Sequence, residues 1–210
     1  MFLTQLLTIA IIHLLAVISP GPDFILITRN SIAYSRKAGR YSALGLGLGI
    51  LVHVFYSIVG IGFVISQSIL LFSIIKIIGA SYLVYIGYKS LTSKPSPSKL
   101  NMNEIAVKQD LKPIEAVKIG FITNVTNPKV TLFFLSLFTQ VINPGTPLSW
   151  QILYGLEMSV VTFGWFAIVA TAFTHPLIKH KVGGIQHYAE RVMGVILIGL
   201  GIRLALAKSS

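Results

Sequence analysis

Cysteine is absent from the chain, which excludes disulfides, thiolate metal sites and thiol relays. Acids are scarce, 6 Asp and Glu against 17 Lys and Arg, so few carboxylates are left to build a cation site inside an apolar fold. Charge of either sign is thin, at 11% of residues. No His and acid cluster has metal-ligand spacing, and no Ser, His and Asp constellation stands out. What remains is apolar: 54% of residues are hydrophobic and the mean hydropathy is +0.79, outside the range of a soluble domain. The composition is that of a polytopic membrane protein. Its net charge of +11 would suggest nucleic acid if the basic residues shared one amphipathic face. They lie instead in short connections between apolar runs, and no nucleic-acid partner is expected.

A helical span needs about 20 residues at ~1.5 Å rise across ~30 Å of hydrocarbon. Six runs meet that length: Phe2 to Thr28, Tyr41 to Ile65, Ile69 to Leu91, Ile114 to Thr139, Trp150 to Phe173 and Ala189 to Leu206. The first has no Lys or Arg in front of it, and Ala16-Val17-Ile18 is a poor cleavage site, so it is not expected to be a secretory signal. Arg29, Arg36, Lys37 and Arg40 follow the first run, Lys94, Lys99, Lys108 and Lys112 the third, and Lys179 and Lys181 the fifth. The links at Ser66 to Ser68 and Gln140 to Ser149 carry no basic residue. This alternation puts the odd-numbered connections in the cytoplasm and both termini outside. Arg203 and Lys208 pull weakly the other way. Residues 92–113, with Pro95, Pro97, Ser and Lys, read as a cytoplasmic linker between a first repeat, 1–91, and a second, 114–210, within one transmembrane domain.

The expected fold is therefore all-α, six transmembrane helices as two inverted three-helix repeats, with the first and fourth helices broken by proline. Lys76-Ile77-Ile78-Gly79 answers Arg191-Val192-Met193-Gly194, and Gly45-Leu46-Gly47 answers Gly155-Leu156-Glu157. The breaks are at Ser19-Pro20-Gly21-Pro22-Asp23 and Asn124-Val125-Thr126-Asn127-Pro128-Lys129. Proline lacks an N–H and clashes with the preceding turn, which frees carbonyls where water is scarce. Paired broken helices in inverted repeats point to a transport site near the midplane.

The candidate pathway residues are Pro20, Gly21, Pro22, Asp23, His53, Asn124, Asn127, Pro128, Lys129 and Glu157. Asp23 is a carboxylate at membrane depth, or else the N-cap of a helix restarting at Phe24. Lys129 stands about fifteen residues into its span. Counted by rise, it is at the depth of Glu157, with which it could pair. The alternative for this region is a kinked helix whose Asn side chains repair the backbone while Lys129 snorkels. His53 and His13 count to mid-membrane, as proton carriers or as packing histidines. Gly45, Gly47 and Gly49 imitate a nucleotide loop, but Ile50 stands where the last glycine belongs and no strand precedes them. Gly45 and Gly49 instead suit a close helix contact. No cofactor and no metal are expected.

Ser19 to Asp23, the basic loop after it, Gly45 to His53, and Asn124 to Phe134 with Asn127-Pro128-Lys129 resemble the LysE/RhtB family of bacterial amino-acid exporters, in its homoserine/threonine branch. The resemblance covers essentially the whole chain. It implies a multi-pass inner-membrane exporter, with a small neutral amino acid as substrate and the proton as coupling ion. Lipid is the surrounding partner, and glycine-lined helices permit a homodimer. The other readings are cation efflux, a membrane-embedded enzyme, and an assembly subunit. The first is opposed by the shortage of acids, the second by the lack of a catalytic cluster, and the third by two broken spans that it does not need.

Overall fold

A computed structural model describes residues 2–19, 21–67, 69–92, 109–141, 146–174 and 182–206. Among them are eight helices and no strand: α1 (Phe2–Ile18), α2 (Pro22–Ala33), α3 (Arg36–Gln67), α4 (Ile69–Leu91), α5 (Pro113–Val125), α6 (Pro128–Val141), α7 (Leu148–Ala172) and α8 (Val182–Leu206). By length and hydropathy two stretches can cross a membrane, Arg36–Gly60 and Leu148–Ala172. A third is added if α1 and α2, bent by 58° at their junction, make one broken span.

The helix boundaries follow from local chemistry. α2 restarts at Pro22, whose fixed φ suits a first helical position. Lys112 N donates to Glu115 Oε2 at 3.3 Å where α5 begins at Pro113. Pro128 opens α6 behind Asn127, whose Oδ1 accepts from Lys129 N at 3.0 Å as an N-cap does. The second run starts earlier than hydropathy suggests, at Arg36, because Lys37 and Arg40 extend the helix beyond its apolar part. The sixth starts at Val182, ahead of Ala189.

The helices meet where side chains are smallest. A Cβ on Gly45 would strike Val117 O and Phe121 N of α5, and one on Gly120 would strike Ser42 O of α3. Backbones therefore touch along this pair, as the Gly45 and Gly49 spacing suggested. Contacts climb together, Ser42 with Gly120 and Gly49 with Asn124, so α3 and α5 run parallel. α3 and α7 run antiparallel, since Gly47 meets Ser159 and Val54 meets Gly155. α1 and α7 are parallel: Tyr154 Oη donates to Phe2 O at 3.2 Å, and Thr162 pairs with His13 at 3.3 Å. α4 and α8 are antiparallel, Gly87 lying on Gly194 and Gly201 on Ala80.

Two apolar clusters hold this frame. Ile9, Ile50, Phe134, Phe138, Tyr154 and Met158 pack α1, α3, α6 and α7 together. Phe24, Ile27, Leu46, Phe166 and Ala170 join α2 to α3 and α7. Each buried side chain of this size is worth about 1.5–3 kcal/mol against exposure to water. In lipid that driving force is absent between helices, and close packing and hydrogen bonds take its place. The space between the clusters is bounded by the two helix breaks.

Candidate functional site

The breaks after α1 and α5 face each other and are stitched together by side chains. Asp23, in the first turn of α2, is buried at 7% exposure. Its Oδ2 accepts from Asn124 Nδ2 at 2.8 Å and its Oδ1 from Asn127 Nδ2 at 2.9 Å. A buried charge survives where its oxygens are hydrogen-bonded, and here both are. This corrects the capping expectation: Gly21 is the N-cap of α2, with no side-chain cap bond, and Asp23 spends its oxygens on the opposite break. Its place in the first turn still suits an anion, because the helix N-terminus is the positive end.

Lys129 reaches back across the same gap, donating from Nζ to Ser19 O at 3.0 Å. The amine thus caps a carbonyl at the end of α1 instead of snorkelling outward. It passes over Gly21, where a Cβ would lie in ordinary contact with Lys129 Cδ at 3.5 Å and Nζ at 3.6 Å. Pro128 has no N–H for Asn124 O four residues earlier; that carbonyl accepts instead from Asn127 N at 2.9 Å, with His53 Nε2 at 3.1 Å as a second partner. A carbonyl only accepts, so Nε2 carries the hydrogen and Nδ1 accepts from Tyr56 Oη at 2.6 Å. His53 is wholly buried, with its ring stacked on Phe134 at 5.5 Å. The Asn residues do two jobs, of which only the repair of the backbone was an expectation. Asn127 repairs α6 through Oδ1, and its amide nitrogen, with that of Asn124, binds Asp23.

Between the breaks lies a cavity of about 450 Å³ of space not filled by atoms, its open mouth included. Ser19, Gly21, Asp23, Asn124, Asn127 and Lys129 line one part of it. Phe133, Phe134, Phe166, Ile50 and Val17 line another, which also holds His13 and Thr162. A polar end with separate anion and cation, joined to an apolar chamber, matches the charge layout of a zwitterion carrying a short side chain.

Of the sequence candidates, Gly21, Asp23, Asn124, Asn127 and Lys129 come together at the cavity, with Pro22 and Pro128 opening the helices that bear them. His53 supports them from behind. Pro20 lies outside the described residues. Glu157 does not pair with Lys129: both its carboxylate oxygens are buried without a hydrogen-bond partner, and it is not on the cavity wall. Equal depth had suggested the pair, but α7 turns Tyr154, Met158 and Thr162 inward and leaves Glu157 off that stripe. Sequence reasoning missed Thr162 and the aromatic wall. Phe133 stands one helical turn beyond Lys129, which is the available signal for the latter.

The profile of the LysE type translocators matches residues 14–208. The chain belongs to the LysE family. A membrane protein of Bacillus subtilis (strain 168) is 32% identical to this LysE-family chain over 196 residues, covering 91% of it and 93% of the relative. The threonine efflux protein of Escherichia coli (strain K12) is 29% identical over 210 residues, 96% of this chain and 98% of its own length. The leucine efflux protein of Salmonella choleraesuis (strain SC-B67) is 31% identical over 206 residues, 92% and 91% of the two chains. No solved structure matches. Membership makes the chain a membrane translocator.

Proposed function

We propose that this translocator is a secondary exporter of small neutral amino acids, such as homoserine, threonine or derivatives, across the bacterial inner membrane, driven by the proton gradient, and that it is not an enzyme. The observation that carries the reading is the pair of helix breaks joined through Asp23, Asn124, Asn127, Lys129 and Ser19 around one cavity. A zwitterion presents an ammonium for Asp23 and a carboxylate for Lys129. Both protein charges already hold partners from the opposite break. Substrate therefore enters by exchange, its ammonium taking over from the amide donors and its carboxylate from Ser19 O. Such an exchange loosens one break from the other while keeping every charge paired, which couples occupancy to helix movement.

The six-span, inverted arrangement fits the run directions. If the first span runs inward, α7 parallel to α1 runs inward too, and α3, antiparallel to α7, runs outward along with α5. α4 then returns inward and its antiparallel partner α8 outward. The halves become in, out, in and out, in, out, joined by the linker 92–113. Ser35 Oγ donates to Asp110 Oδ1 at 2.8 Å, and Arg40 Nε donates to Thr171 Oγ1 at 3.2 Å. These bonds bring the start of α3 beside residue 110 and the end of α7, which supports putting those ends on one face, the cytoplasmic one under the charge rule. Reporter fusions after Ser98 are expected to read as cytoplasmic and fusions after Gly145 as external; the opposite pattern would reverse the direction of every span.

The direct test is a screen of labelled amino acids in proteoliposomes, with and without an imposed pH gradient. Accumulation of a small neutral amino acid that rises with the gradient is the expected result. No movement across the whole panel by correctly inserted protein would sink the exporter reading, and movement indifferent to the gradient would remove the proton.

A further inference from the structure

We infer that His13, held in place by Thr162, is a specificity-determining residue of the cavity, selecting a substrate side chain that carries a hydroxyl over an aliphatic one of the same size. The inference rests on the exporter reading above, and concerns the end of the cavity away from the charges.

His13 and Thr162 are each 1% exposed and both are on the cavity wall. The Thr162 hydroxyl meets His13 Nε2 at 3.3 Å, and among the described residues no other partner for that hydroxyl is found. Whichever of the two donates along this bond, the other ring nitrogen, Nδ1, is left over. Nδ1 is buried and has no partner. The ring is fixed by Phe133 at 6.1 Å and Phe134 at 6.2 Å, and by α1 itself, so it cannot swing to water. A hydroxyl both donates and accepts, so it can pair with this buried nitrogen in either tautomer, and a polar atom left open on a residue of the cavity wall is satisfied most simply by what the cavity receives.

His13 stands six residues before Ser19, a helical rise of ~9 Å, so it lies along the chain from the charged break rather than at it. An aliphatic side chain would leave Nδ1 unpaired inside the chamber. Sites built to bind a hydroxyl reject the analogue lacking it much more strongly than apolar pockets reject an added one.

The test compares threonine with valine, which differ by hydroxyl against methyl, in proteoliposomes holding wild type, H13F, T162V or T162S. Wild type is expected to move threonine about tenfold or more faster than valine. H13F keeps the ring's volume against Phe133 and Phe134, and is expected to bring the two within about threefold. T162V should lose part of the preference and T162S keep it, because serine restores the hydroxyl that holds the ring. A preference unchanged in H13F, or in T162V should H13F fail to accumulate, overturns the assignment, and so does wild-type export of both without preference. Export of neither amino acid, nor of any other in the panel, fails the exporter reading instead.

Discussion

Replacing Asp23 with Asn is expected to leave the protein inserted at wild-type abundance while export falls about tenfold or more, a loss of ~1.4 kcal/mol or above in the limiting step. The structure makes this substitution unusually clean. Asn127 cannot turn its amide round without giving up the bond from Lys129 N, so it continues to donate to the carbonyl oxygen of the new side chain. Asn124 can turn, because its Oδ1 is buried without a partner. Once turned, it accepts from the new amide nitrogen and the two contacts across the breaks survive. Only the charge is gone. Burying a carboxylate costs at least ~2.5–3.5 kcal/mol at membrane depth on insertion scales, which the two amide bonds offset, so a neutral side chain that keeps both bonds leaves stability near wild type. The substrate ammonium has its counter-charge to lose. D23E keeps the charge but adds a methylene in a site closed on both sides by Asn amides, and should retain partial export. Export and membrane abundance measured together decide the matter. Wild-type transport by D23N would reduce Asp23 to a scaffold for the Asn pair and move the substrate charge elsewhere.

The sequence made the two breaks legible because proline and glycine act locally: Pro22 and Pro128 open helices wherever the rest of the chain lies. Hydropathy found every apolar run, and erred at the ends, where Lys37 and Arg40 remain helical outside the apolar stretch. What joins the breaks was not legible. Asp23 and Asn127 are 104 positions apart, and their bond depends on the packing that brings α2 against α5. Counting rise gives depth but not direction around the helix, and depth alone offered Glu157 as a possible partner for Lys129. His53 shows the same limit from the other side. A packing role was one of its two readings, but that it adds a second donor to Asn124 O, beside Asn127 N, could be read only from the parallel contact of α3 with α5. The cavity's selectivity residues were hidden for a simpler reason: a threonine inside an apolar run carries no mark of whether its hydroxyl binds the helix behind it or, as Thr162 does, a neighbouring histidine.

Gly120→Ala is expected to lower both thermal stability and export, although alanine is the better helix former by about 1 kcal/mol. The gain in propensity is outweighed because the added methyl would collide with Ser42 O, a backbone atom of a long helix that no rotamer change can move. Overpacking of this kind costs ~1–3 kcal/mol where the surroundings yield. Here yielding means separating α5 from α3. Separation draws Asn124 O away from His53 and shifts Asn124 and Asn127 relative to Asp23, so transport should suffer more than stability does. G45A should behave alike from the other side of the contact, since its methyl would meet Val117 O and Phe121 N. Gly164 is the control: a Cβ there meets nothing within 4 Å, and G164A is expected to be neutral or slightly stabilising. Melting of the purified variants in detergent, beside export at matched abundance, separates the outcomes. G120A melting with G164A and exporting at the wild-type rate would show that the backbone contact between α3 and α5 does not hold the two breaks in register.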